Sequence, residues 1–214
     1  MEDWLEPRAR AAAAGIAMLA GTALFAQIYL DMIEKDRSLW TAFANLFGFF
    51  TIWSNGIVAM VAGWCGWSGR TRWLGHPAVL AASTVFILVV GVVYNTLLAG
   101  LNHPPTPLRV LIDHVFHIVV PLAWPLWWLA LRPRRQLGFD RLWWVLPVPL
   151  LYCLYSLWRG GVTGRYAYFF IDVSVLGWQQ VIINIAGFSA LFAGLMAAAI
   201  GWDRRDQRQT RARG

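Results

Sequence analysis

Six long apolar runs, almost free of charge, divide this sequence and limit what it can fold into: about Ala11–Leu30, Phe43–Trp64, Pro77–Leu101, Leu108–Leu131, Leu142–Trp158 and Leu176–Trp202. Runs of roughly 18 apolar residues read as membrane-crossing helices, because only a helix or a closed barrel satisfies its own backbone polar groups in lipid. The barrel alternative fails, since the runs lack period-two alternation and are longer than barrel strands. The runs and their short connections take up nearly all of the 214 residues. The expectation is therefore an all-α polytopic bundle of six transmembrane helices. It forms a single domain over residues 1–202, followed by a basic, disordered tail over 203–214.

Charge sets the expected direction of the chain. Only 14% of the residues are charged, against about 25% in a soluble domain, and the net charge is +7. The arginines lie between the apolar runs, which argues against a nucleic-acid partner. Arg8, Arg10, Arg70, Arg72, Arg132, Arg134, Arg135, Arg141, Arg204, Arg205, Arg208, Arg211 and Arg213 fall on one side of a six-span topology. Only Lys35, Arg37, Arg109, Arg159 and Arg165 fall on the other. The excess of positive charge marks the cytoplasmic side, so both termini are expected there. Tryptophans 40, 64, 67, 73, 127, 128, 143, 144, 158 and 202 sit near run ends, as in an aromatic belt at the headgroups. Glu2, Asp3 and Glu6 do not suit a signal peptide. Cys65 and Cys153 form neither a disulfide framework nor a metal spacing. The bias to arginine and alanine points to a bacterial plasma membrane protein.

Polar side chains inside apolar runs are costly in lipid and mark candidate sites. The densest group is Asp113-His114-Val-Phe-His117 in the fourth run. Asp113 and His117 are four residues apart and share a helix face, where a carboxylate can orient an imidazole. Arg109 lies one turn further out on that face. The second run carries Thr51 and Asn55, also four apart, and the third carries Ser83, Thr84, Tyr94 and Asn95. Such residues often only bond their own helix or a neighbour. Counting from the outer end of each run, Thr51, His117 and Asn184 fall at a similar depth of roughly 12–14 Å, which allows a hydroxyl, an imidazole and an amide to meet. The outer loop with Tyr166, Tyr168 and Asp172 is either an interfacial anchor or a lid. His76 and His103 stand beside prolines and read as structural. No phosphate-binding loop, dinucleotide fingerprint or zinc spacing is present, so no cofactor or metal is expected.

The stretches Phe49-Phe50-Thr51-Ile-Trp-Ser54-Asn55, Tyr94-Asn95, His114-x-x-His117-x-x-x-Pro121 and Gly161-x-x-Gly164-x-Tyr166-x-Tyr168-x-Phe170-x-Asp172 together resemble the androgen-induced-protein family of six-helix membrane proteins and its bacterial relatives. The resemblance extends over nearly the whole chain. It implies hydrolysis of fatty-acid esters of hydroxy fatty acids by an intramembrane threonine and a histidine, roles that fall on Thr51 and His117. The chain departs from the family at Ala167 and Phe169, where the loop usually carries prolines, and at Asp113, where animal relatives have asparagine.

The sequence thus predicts a lipid ester hydrolase, its membrane lipid or fatty-acid ester substrate reaching the site from the bilayer. Thr51 is the nucleophile and His117 the base, with Asp113, His114, Asn55, Asn95 and Asn184 in support. A non-catalytic lipid or small-molecule binding protein is the alternative. A haem or metal protein using His114 and His117 is disfavoured, because ligands three apart on one helix cannot face each other across a haem.

Overall fold

The computed structural model describes residues 4–132 and 137–213, so Glu2, Asp3, Arg134 and Arg135 lie outside the described residues. The described residues form helices joined by short turns and loops, with one isolated bridge between Trp4 and Arg70. Eight α-helices follow one another: α1 Pro7–Glu34, α2 Leu39–Leu46, α3 Phe50–Ser68, α4 Pro77–Val93, α5 Pro107–His114, α6 Val120–Leu131, α7 Pro147–Thr163 and α8 Val173–Arg213. A π-helical turn over Tyr94–Leu98 extends α4, and a second over Val115–Val119 joins α5 to α6.

Among the described residues four helical segments are long and apolar enough to cross a membrane: Pro7–Glu34, Pro77–Leu101, Pro107–Leu131 and Val173–Arg205. The pair α2 and α3 makes a fifth only if the two are one broken span, since they meet at 99°. The expected continuous run Phe43–Trp64 is therefore interrupted. Its break falls at Gly48, whose carbonyl accepts the Tyr152 hydroxyl at 2.8 Å and whose missing Cβ leaves room for the Arg159 guanidinium. The expected run Leu142–Trp158 is also divided. A 3-10 stretch over Phe139–Val145 precedes the 17 residues of α7, which begins at Pro147, where a helix tolerates proline. The tail expected to be disordered beyond Trp202 instead continues α8 to Arg213.

Packing follows residue size. α1 lies along α3, with Ala14 against Gly66 and Ala17 against Gly63. Gly66 touches the Ala14 backbone so closely that a Cβ there would stand 2.8 Å from Ala14. Small residues at such a crossing let helices approach where lipid removes the hydrophobic drive to associate. α4 is apolar all round and buried among α3, α6 and α8, with Leu80, Ala81, Val85 and Ile87 closed off. α8 carries a kink at Gly177, whose φ of 74° favours glycine.

The tryptophans divide by depth. Trp40, Trp67, Trp73, Trp143, Trp144, Trp158 and Trp202 are exposed, as a belt requires. Trp127 and Trp128 are buried, contrary to expectation. Trp127 stacks on Trp124 and donates to the Ala9 carbonyl, while Trp128 lies under the Arg132 guanidinium. Arg132 and Asp203 form a buried pair, and Asp203 also accepts the Leu137 main-chain N–H, tying α8 to the end of α6.

Candidate active site

Because α3 starts at Phe50, Thr51 sits in its first turn and not eight residues into a straight span. The depth count made from the sequence is thereby overturned, yet the contact it allowed is present. Thr51 Oγ1 lies 3.3 Å from His117 Nε2. On its other side His117 Nδ1 lies 3.0 Å from the Asp113 carboxylate and 3.0 Å from the Asp113 main-chain oxygen. Two acceptors on this side hold the proton on Nδ1. Nε2 is then the acceptor, and the Thr51 hydroxyl donates to it.

The π-helical turn that carries His117 fixes this alignment. A π turn displaces carbonyls from their usual partners, and such turns are frequent at functional sites. Asn55 donates to the Phe116 carbonyl at 3.3 Å as well as to that of Thr51, and Asn95 donates to the His117 carbonyl at 2.9 Å and to that of Gly91. The two asparagines thus pin the histidine turn to α3 and to the end of α4. Both amides are engaged by main-chain oxygens.

Two residues that sequence reasoning left out of the site complete it. The Tyr94 ring stacks on the His117 imidazole, 3.4 Å between centroids at 7°, and its hydroxyl donates to Asp113 at 2.8 Å. Asn102 donates both to the other Asp113 oxygen, at 2.9 Å, and to the Tyr94 hydroxyl. The sequence singled out Tyr94 only as a polar residue of the third run and as part of the Tyr94-Asn95 stretch of the resemblance, and nothing in the pattern around Asn102 marked it.

Thr51 lines two cavities. The larger, about 600 Å³, opens past His117, Asp113, Tyr94 and Arg109. A cluster of charge borders it. Buried Asp31 pairs with Lys35 and with Arg37 at 2.8 Å, and Arg109 binds Glu34 at 2.6 Å and lies 4.0 Å from Asp31. The smaller, about 70 Å³, is an apolar slot running from Thr51 between α4, α7 and α8 past Val89, Tyr152, Phe188 and Phe192. Cys153 lines this slot, and both cysteines are free thiols. Tyr94, Leu98 and Tyr168 line both cavities with Thr51.

The loop between α7 and α8 is divided in its contacts. Ala167, Tyr168 and Phe169 line the larger cavity. The Tyr168 hydroxyl accepts the Phe50 N–H at 3.1 Å and touches the Thr51 side chain. Desolvation raises the Tyr168 phenol above its ordinary value, so it keeps its proton near neutral pH. Tyr166 turns away and packs its ring on Gly160, where a Cβ would stand 2.2 Å from the ring. Asp172 caps α8 by accepting the Ser174 N–H at 2.9 Å. Asn184 does not reach the pair: its amide donates to the Phe170 carbonyl at 2.8 Å and so holds the loop. His114 is exposed and lines neither cavity. Among the described residues no group of three or more metal-ligating side chains occurs.

Gly91 lets α4 approach this turn. A Cβ on Gly91 would stand 2.7 Å from Pro121 Cβ and 3.6 Å from the His117 carbonyl oxygen. Gly91→Ala is expected to force α4 away from Pro121 and so shift the histidine turn that leads into it. If the Thr51–His117 pair carries turnover, the rate falls about tenfold with folded yield kept, as read by size-exclusion recovery beside activity.

No protein-family model, curated protein or solved structure matches the chain.

Proposed function

We propose that the protein is an intramembrane ester hydrolase of the six-helix family it resembles, acting on long-chain lipid esters such as fatty-acid esters of hydroxy fatty acids. One observation carries the reading. A hydroxyl, an imidazole and a carboxylate stand in line, and the hydroxyl opens on both an apolar slot and a polar cavity. An amphipathic ester spanning that junction would lay its acyl chain in the slot and its alcohol half in the wider cavity.

Thr51 Oγ1 attacks the acyl carbonyl carbon while His117 Nε2 takes the hydroxyl proton. The tetrahedral adduct collapses, the bond to the alcohol oxygen breaks, and His117 returns the proton to that oxygen. Water then enters, gives a proton to His117 and attacks the acyl-threonine. The free acid leaves, and the proton goes back to Thr51. Asp113 keeps His117 in the required tautomer and stabilises the imidazolium, and Tyr94 and Asn102 fix Asp113. The experiment is turnover of a long-chain ester by purified protein in liposomes. Hydrolysis by the natural chain, lost in Thr51→Ala, supports the reading. Tight ester binding without any hydrolysis favours a lipid-binding protein instead.

In this reading α2 with α3, and the 3-10 stretch with α7, serve as the second and fifth of six spans, and both termini are cytoplasmic. Arg165 is exposed in the outer loop. With Cys65 and Cys153 replaced by alanine, Arg165→Cys is expected to react with an impermeant maleimide from outside intact cells. Reaction only after the cytoplasmic face is opened would invert the topology.

A further inference from the structure

Ester hydrolysis needs hydrogen-bond donors where negative charge develops on the carbonyl oxygen. The three asparagines nearest in the sequence reading do not supply them. Asn55 and Asn95 give both amide hydrogens to main-chain carbonyls, and Asn184 is held against the Phe170 carbonyl away from Thr51. A side chain with a donor hydrogen that also lies beside Thr51 is the Tyr168 phenol.

Resting on the hydrolase reading above, we propose that Tyr168 is a catalytic residue that donates its hydroxyl hydrogen to the oxyanion formed when Thr51 attacks. Its oxygen accepts the Phe50 N–H at 3.1 Å and lies against the Thr51 main chain. These contacts occupy the phenol's acceptor side and leave its O–H free to turn into the cavities that Thr51 and Tyr168 both line. The first turn of α3 places main-chain N–H groups there without helical partners, at the positive end of the helix dipole, which favours negative charge at this point. Before attack the phenol lies beside the Thr51 side chain, whose hydroxyl also stands against His117. Once Oγ1 has bonded to the acyl carbon, the adjacent oxyanion accepts the phenol's hydrogen bond. No proton is transferred: the phenol stays protonated throughout, and the charge returns to the carbonyl when the alcohol leaves. Aromatic contacts hold the ring, with Phe170 stacked at 5.0 Å and Phe49 edge-on at 6.1 Å, so the donor is placed before substrate arrives.

The test uses full-length protein in liposomes and compares Tyr168→Phe with the natural chain. The expected result is a fall in kcat of about 10²–10³-fold, with KM changed less than about threefold. A long-chain trifluoromethyl ketone, which binds as an oxyanionic adduct, should lose affinity by the same factor as kcat/KM. The corresponding ether, which cannot form the adduct, should bind both proteins alike. Unchanged ketone affinity, or equal losses for ketone and ether, would overturn the assignment and leave Tyr168 a packing residue. If Tyr168→Phe does not fold, 3-fluorotyrosine at position 168 keeps the shape and alters donor strength. Then kcat should change with KM fixed, and no change in kcat counts against the proposal. Thr51→Ala separates the two levels. Full activity there removes the hydrolase reading itself, whereas an inactive Thr51→Ala beside a fully active Tyr168→Phe removes only the role of Tyr168.

Discussion

Thr51→Ala, His117→Ala and the double variant are expected to lose about 10³-fold or more of ester turnover, and to about the same residual level. Threonine is a weak nucleophile unless a base takes its proton, and the base has no other task, so either loss disables the unit. Steady-state hydrolysis in liposomes reads all three. Losses that multiply in the double variant would mean that the 3.3 Å contact is not the working pair. Thr51→Ser keeps the hydroxyl and retains activity. Asp113→Asn costs far less than His117→Ala, about tenfold. The Asp113 main-chain oxygen also lies 3.0 Å from Nδ1 and still holds the required tautomer.

The largest loss of stability is expected at Trp124→Ala. Trp124 is fully buried, stacks on Trp127 at 4.6 Å and 4°, and donates to the Ser83 hydroxyl at 3.0 Å. Truncation removes the ring with its buried hydrogen bond and leaves a cavity between α4 and α6, at a cost of about 3–5 kcal/mol. In detergent the unfolding midpoint should fall by roughly 10 °C. Trp67 is 89% exposed, and its replacement by alanine should cost less than about 0.5 kcal/mol. Equal shifts for the two variants would contradict the packing described for α6.

What was legible in the sequence follows from range. Charge-free runs such as Pro77–Leu101 announce helices, because lipid forces the backbone to satisfy itself locally. The Asp113–His117 contact is likewise local, and it survives the π turn between them. The break before α3 was not legible, since Gly48 becomes a bend only when Tyr152 and Arg159 close on it from another helix. That bend spoils any depth count from Phe43. Asn184 shows the same limit: its position along the chain suited the site, but its rotation about α8 directs it to Phe170. Trp127 and Trp128 had the spacing of a belt, and only the packing of α6 buries them. Tyr94 and Asn102 meet Asp113 because the turns that follow α4 face the last turn of α5, which no periodicity reports.

The central claim is that Thr51 is a nucleophile activated by His117. A long-chain fluorophosphonate reacts covalently with such a hydroxyl, and peptide mass mapping identifies the residue that carries it. The account predicts one adduct, on Thr51, absent from Thr51→Ala and strongly reduced in His117→Ala. Labelling at another residue, or labelling of the natural chain no faster than that of Thr51→Ala, would contradict it.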